Sequence, residues 1–232
     1  IHPNLRKLQN KNTLILSYNI TDYINILKEL NNNNNVFIFN TEQNTIKYYK
    51  NQNQHLLDNN FKMLDYSMVN IKLLNNNKNY KHFPYQYSYE IEKINYYLKT
   101  EPKEYDFAFV GNLSEYRKMY LNTLELNKFK VKHIEGFSDV RDRDIAKCRV
   151  LLNIHNDENY KIYEHLRCDR WEMAGHLILS EESLDQEKLS NKIIFFNKNN
   201  FLDKVNGILK IINTYDICKK PTQDLNILTN PL

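Results

Sequence analysis

Glycine is scarce: the chain uses it at Gly111, Gly136, Gly175 and Gly207, and residues 1 to 110 contain none. Without glycine-rich loops there is no GxxxxGK[ST] and no GxGxxG, which excludes P-loop NTPases and standard NAD-binding dehydrogenases. The GxSxG elbow of serine hydrolases is missing as well. Cysteine is equally thin. Cys148, Cys168 and Cys218 are odd in number, far apart and free of CxxC or Cys/His ligand spacing, so neither a disulfide framework nor a zinc site is expected. Reduced thiols in a cytoplasmic compartment fit this pattern. Long apolar runs are missing too: LLNI and KIIFF are strand-sized, far below the roughly 20 residues of a membrane helix. The opening IHPNLRKLQNKN lacks the apolar centre of a signal peptide. A soluble protein with no membrane span is expected.

Charge is muted. Lys and Arg number 32 against 28 Asp and Glu, a net +4 with the signs interspersed, which gives no basic stripe for nucleic acid. What is abundant is asparagine, as NNNNN at 31 to 35 and NNN at 75 to 77, read as solvated loops or frayed helix ends in a chain from an AT-rich genome. The sequons at Asn19 and Asn112 matter only in a secreted protein. A hydrophobic share of 41% suffices for a real core.

Pro84 and Pro102 bracket the tyrosine-rich, helix-like YQYSYEIEKINYYLKTE, which places a hinge there. The expected division is 1–100, 101–220 and a tail at 221–232. The first part reads β-α-β-α-β-α-β: TLILSY, a helix capped by Thr21 or Asp22, VFIFN, a helix to about 58, then short strands around a helix at 67 to 75. In the second part the strand runs DFAFVG, FKVKHIEG, RVLLNIH, HLILS and KIIFF alternate with helices at 115–127, 139–147, 160–173 and 199–217. Such alternation predicts an α/β fold of two Rossmann-like domains, the amino-terminal one reduced, with parallel sheets covered by helices on both faces.

In open α/β sheets ligands collect beyond the carboxyl ends of the strands, which directs attention to GNLSEYRK, EGFSDVRDRD, HNDENY and SEES. Gly111 permits a tight turn or a close ligand approach, Ser114 can cap the next helix, and Arg117 stands in its first turn, where a cation is disfavoured unless an anion is bound. A plain capped turn explains the same residues. Arg141, Asp142, Arg143 and Asp144 read as a solvated, salt-bridged turn. On a helix, Glu164, Arg167 and Trp171 share one face and Glu172 lies about 80° away. Glu164 and Arg167 can form a site, or an ordinary surface ion pair worth about 0.3 kcal/mol. His155, Ser180 and Glu181 end strands, where structural and ligand roles are both open. No metal ligand set is evident.

The segments DFAFVGNLSEYRKMYLNTLE, FKVKHIEGFSDVRDRDIAKCRVLLNIH, YEHLR and HLILSEE together resemble the donor-binding carboxyl-terminal domain of GT-B-type glycosyltransferases. They are most similar to bacterial and large-DNA-virus relatives of the spore-maturation glycosyltransferase group; VFIFNTEQ and LDYSMVNIKLL look like the amino-terminal half of those proteins. The resemblance implies a glycosyltransferase moving a sugar from a nucleotide-sugar donor to a hydroxyl acceptor, in a cytoplasmic setting that extends to an infected host. No cofactor beyond the donor and no obligatory metal are implied. Gly111, Asn112, Ser114 and Arg117 would lie by the diphosphate, Glu164 by sugar or ribose hydroxyls, Arg167 by the phosphates, and His155, Ser180 and Glu181 in the donor crevice. Thr41, Glu42 and Gln43 would face the cleft. Glu172 is out of register with Gly175 for the second glutamate of the Glu-x7-Glu motif. The amino-terminal half is short for the family, and a non-catalytic nucleotide- or sugar-binding module of the same fold is the alternative.

Overall fold

The computed structural model describes residues 12–17, 23–33, 35–136, 138–189 and 192–212. Asn19, the caps Thr21 and Asp22, Cys218, residues 213–217 of the expected last helix and the tail at 221–232 lie outside the described residues.

Packing divides the chain into two compact units, the first Ile1–Gln86 with His155–Leu166 and Glu182–Leu189, the second Tyr87–Ile154 with Arg167–Glu181 and Ser190–Leu232.

The first unit holds strands β1 (Asn12–Ser17), β2 (Asn35–Asn40), β3 (Lys62–Asp65) and β4 (Tyr80–His82), parallel and ordered β1-β2-β3-β4. Helices α1 (Ile24–Asn33), α2 (Lys47–Asp58) and α3 (Met68–Leu73) connect them. Every crossover steps the same way, so right-handed connections place all three helices on one face. Alternate strand residues Val36, Ile38, Met63 and Tyr80 meet Leu27, Leu30, Leu56, Leu57, Ile71 and Leu74 there in one core. The opposite face carries Leu14 and Leu16, paired in register with Phe37 and Phe39, and these leucines are 59% and 65% exposed.

In the second unit α4 (Tyr89–Thr100) leads to β5 (Tyr105–Val110), α5 (Glu115–Leu126), β6 (Val131–Ile134), α6 (Ser138–Ala146), β7 (Cys148–Asn153), α7 (His165–Met173), β8 (Leu177–Glu181), β9 (Ile193–Phe196) and α8 (Phe201–Ile212). The parallel sheet is ordered β6-β5-β7-β8-β9. One face packs Phe107, Phe109, Val150, Leu152, Leu177 and Leu179 against Tyr120, Leu121 and Leu124 of α5 and Phe201, Val205 and Ile208 of α8. Ala108, Leu151 and Ile178 point the other way and are also fully buried, on the side where right-handed crossovers carry α6 and α7. This is the doubly covered arrangement that near-continuous apolar strands predict. The sequence-based division at residue 100 groups α4 with the first half; α4 packs in the second unit, where Asn95 donates to the Ala174 carbonyl at 2.9 Å and Lys93 pairs with Asp139.

Residues 160–164 form no helix, contrary to the expected span of 160–173. The backbone N–H groups of three of them are taken by side chains from elsewhere in the first unit: Lys161 and Ile162 donate to Gln43, and Tyr163 donates to Asp185. No described helix is long and apolar enough to cross a membrane.

Candidate functional site

In the second unit the chain leaves β5 toward β6 on one side, then returns past it to β7 and continues to β8 on the other. The carboxyl ends of β5 and β7 therefore form a topological switch point, where the loops part and leave a crevice. Gly111 follows β5 there with φ of +132°, a backbone region essentially closed to side chains. A Cβ built on it would lie 3.4 Å from Arg167 Nη2 and 3.7 Å from Arg117 Nη1, so two guanidinium groups converge on this glycine.

The two arginines arrive by matching routes. Each is the third residue of its helix, Arg117 in α5 and Arg167 in α7. Ser114 caps α5, its Oγ accepting from Arg117 N at 3.3 Å. The Arg117 side chain is buried; its Nε donates to Ile154 O at 3.1 Å and its Nη1 to Asn112 O and Oδ1 at 3.0 and 2.6 Å. Arg167 Nη1 reaches Asn153 Oδ1 at 3.5 Å. Both guanidinium groups lie over the Phe109 ring, at 5.1 and 5.7 Å from its centroid. Like charges gathered at two positive helix ends repel, and an anion at Gly111 would relieve that repulsion.

The row continues along the sheet edge. Asn153, at the end of β7, donates to Ser180 Oγ at 3.0 Å, and Ser180 Oγ donates to the Glu181 carbonyl at 2.9 Å. Tyr116 of α5 donates a short hydrogen bond to Glu181. Burial, then that carboxylate, pushes the phenol of Tyr116 well above its ordinary value, so it stays a donor. Gly111, Asn112, Ser114, Arg117, Arg167, Ser180 and Glu181 thus share one edge. Glu172 does not. It lies five residues beyond Arg167, about 7.5 Å along the helix, and its carbonyl accepts from Gly175 N at 2.9 Å while Trp171 O accepts from His176 N at 2.8 Å. That pair of bonds is a Schellman closure with Gly175 at φ +90°.

The other predicted residues belong to the first unit, in loops beyond β2 and before α7. Thr41 follows β2 and is half-buried. Glu42 is half-buried; burial first, then the Glu164 carboxylate, raises its carboxyl to about 7. Gln43 Nε2 donates to Glu164 Oε1 at 2.7 Å. His155 is buried, its Nε2 3.1 Å from Glu182 O. Beneath this loop Asp65 is fully buried at the end of β3. Its Oδ2 accepts from Asn40 Nδ2 at 2.6 Å and from Tyr80, and its Oδ1 from Ser67 N at 2.6 Å and Asn70 Nδ2 at 3.1 Å. Burial outweighs those bonds and lifts the Asp65 carboxyl to about 6.

Sequence reading misses Asn153 and Phe109 as parts of the arginine site, although a polar residue closing the apolar run RVLLN is a usable signal. It also misses the contact of His165 Nε2 with Asp185 Oδ2 at 3.0 Å, whose partners, one at the start of α7 and one in the loop after β8, are 20 residues apart. Among the described residues no group of three or more His, Cys, Asp or Glu has a metal-holding arrangement.

No protein-family profile matches the chain. Among solved structures, the crystal structure of a GsuK mutant aligns with 89% of this chain and 69% of its own, at 11% identity and a TM-score of 0.30. Uncharacterized protein L138 of Acanthamoeba polyphaga mimivirus is 37% identical over 192 residues, 79% of this chain but 21% of that protein. Uncharacterized protein L137 of the same virus is 37% identical over 150 residues, 63% of this chain and 20% of its own length. The chain thus spans about a fifth of the length of these two relatives. Uncharacterized protein L140 of the virus is 36% identical over 221 residues, covering 85% of this chain and 71% of L140. At that identity and coverage, the chain belongs to the same family as uncharacterized protein L140 of Acanthamoeba polyphaga mimivirus.

Proposed function

We propose that the chain is a glycosyltransferase that moves a sugar from a nucleotide-sugar donor to a hydroxyl acceptor, acting in the cytoplasm of an infected cell. The observation that carries this reading is the convergence of Arg117 and Arg167 on Gly111 at the switch point of the second unit. A diphosphate suits two guanidinium groups at two helix N-termini, because planar N–H pairs match phosphate oxygens and the helix ends favour negative charge. In the reaction the acceptor oxygen bonds to the anomeric carbon and the carbon–oxygen bond to the diphosphate breaks. The nucleoside diphosphate departs with the electron pair, and the acceptor proton passes to a base. Charge grows on the departing diphosphate, and fixed cations lower that barrier. In this reading Glu181, held by Tyr116, accepts hydrogen bonds from donor hydroxyls, and Glu164 is the carboxylate assigned to sugar or ribose hydroxyls.

The test is a screen of nucleotide sugars, read as donor hydrolysis or transfer. Wild type is expected to turn over one donor, and Arg167→Ala and Glu164→Ala to reduce turnover about 100-fold. Wild-type rates in both variants would overturn the residue assignment. Binding of a nucleoside diphosphate with no turnover of any donor would identify a non-catalytic binding module instead, and no binding at all would overturn both.

A further inference from the structure

Glu164 can act on a substrate hydroxyl only if its carboxylate is held in place, and the first unit contains a residue built for that. Gln43 follows Glu42 in the loop after β2 and is 1% exposed. Its Oε1 accepts from Lys161 N at 2.9 Å and Ile162 N at 2.8 Å. Its Nε2 donates to Ile162 O at 2.8 Å and to Glu164 Oε1 at 2.7 Å. A primary amide has two acceptor lone pairs and two N–H donors, so these four bonds use it completely. Three of them fix the backbone that turns just before α7; the fourth lands on the carboxylate.

We propose that Gln43 is a positioning residue, which sets the orientation of the Glu164 carboxylate for its contact with a substrate hydroxyl. What Glu164 touches rests on the reading given under Proposed function; the positioning itself does not. Burial first, and the Glu164 charge second, push up both Glu42 and the buried Tyr66, so the carboxylate that Gln43 holds lies close to both groups. The hydrophobic neighbours cannot substitute for this amide, and a shorter Asn would not span the same four partners.

The first experiment uses the unmodified protein. The side-chain amide resonances of Gln43, followed by nuclear magnetic resonance against pH, are expected to shift at the midpoint of the Glu164 carboxyl carbon and to lose that step in Glu164→Gln. Amide signals indifferent to that titration would overturn the proposal. The second uses Gln43→Met, which keeps length and removes the donors. Expected is turnover reduced about 100-fold, with nucleoside diphosphate affinity unchanged within about twofold. Wild-type turnover would sink it. If Gln43→Met does not fold, Gln43→Glu, which retains the acceptors for Lys161 and Ile162, is read the same way. If the wild type transfers no sugar, the functional reading falls while the amide resonances still decide the positioning.

Discussion

Gly111 shows how one residue can govern a site without contributing a side chain. Its φ of +132° costs any other residue about 1–3 kcal/mol, and the Cβ would lie in contact with Arg167 Nη2 at 3.4 Å, on the side where the guanidinium groups converge. Gly136 is the control, because its φ is +84° while nothing lies within 4 Å of its added Cβ. Gly111→Ala is expected to lower stability by about 1–3 kcal/mol and nucleoside diphosphate affinity about tenfold. Gly136→Ala should show the stability loss alone. Urea denaturation and ligand titration measure the two effects; equal affinities in both variants would detach Gly111 from the anion site. The placement of Gly111 and Arg117 is legible in the sequence, since a rare glycine ends a strand and a cation stands in a helix's first turn. The role of Gln43 is not, because its partners lie 118 to 121 residues away and nothing local marks an amide that is about to be buried.

At the scale of elements, α7 is the informative one. Apolar spacing predicts its last residue well and its first poorly, because its start is set by N–H groups captured by Gln43 and Asp185, not by local propensity. Its other end joins β8 through the Schellman closure, and His176 is buried in that joint against Trp171, at 5.5 Å between rings. Neither ring nitrogen of His176 has a hydrogen-bond partner among the described residues. Burial first, and the charge of Lys103 second, depress it from 6.5 to about 3. The folded joint therefore excludes a proton that the unfolded chain accepts below about pH 6.5, so this contribution to stability is present above 6.5 and is lost as pH falls toward 3. Urea midpoints taken between about pH 7 and pH 4 should decline in the wild type, and His176→Leu should flatten that decline. Identical slopes would show that other groups dominate acid unfolding. The β1–β2 face is the opposite lesson: Leu14, Ile15 and Leu16 form one apolar run, yet Ile15 packs on the core while both leucines are exposed, because which face of a sheet is covered depends on the direction of the crossovers.

At the scale of the molecule, the order of strands is what turns scattered motifs into sites. The sequence predicts parallel sheets in both halves, but not that one is ordered sequentially while the other reverses between β5 and β7, and only the reversal creates a crevice. Nor does it predict that His155–Leu166 and Glu182–Leu189 fold into the first unit. The four bonds of Gln43 and the burial of Tyr163 depend on those returning segments. A fragment of residues 1–86 is therefore expected to unfold without a cooperative transition, in contrast to the whole chain, as read by circular dichroism against urea. A sharp transition in the fragment would show that the returning segments are dispensable. Those segments also impose a schedule on synthesis. The first unit ends its main stretch at Gln86 but needs residues up to Leu189, and 189 − 86 leaves 103 residues still to be added. At the usual ribosomal pace of about 5 to 20 residues per second, that is about 5 to 20 s. Until Glu164 has been added Gln43 lacks its partners, so the nascent first half is the stage at which a chaperone has the longest access to the chain.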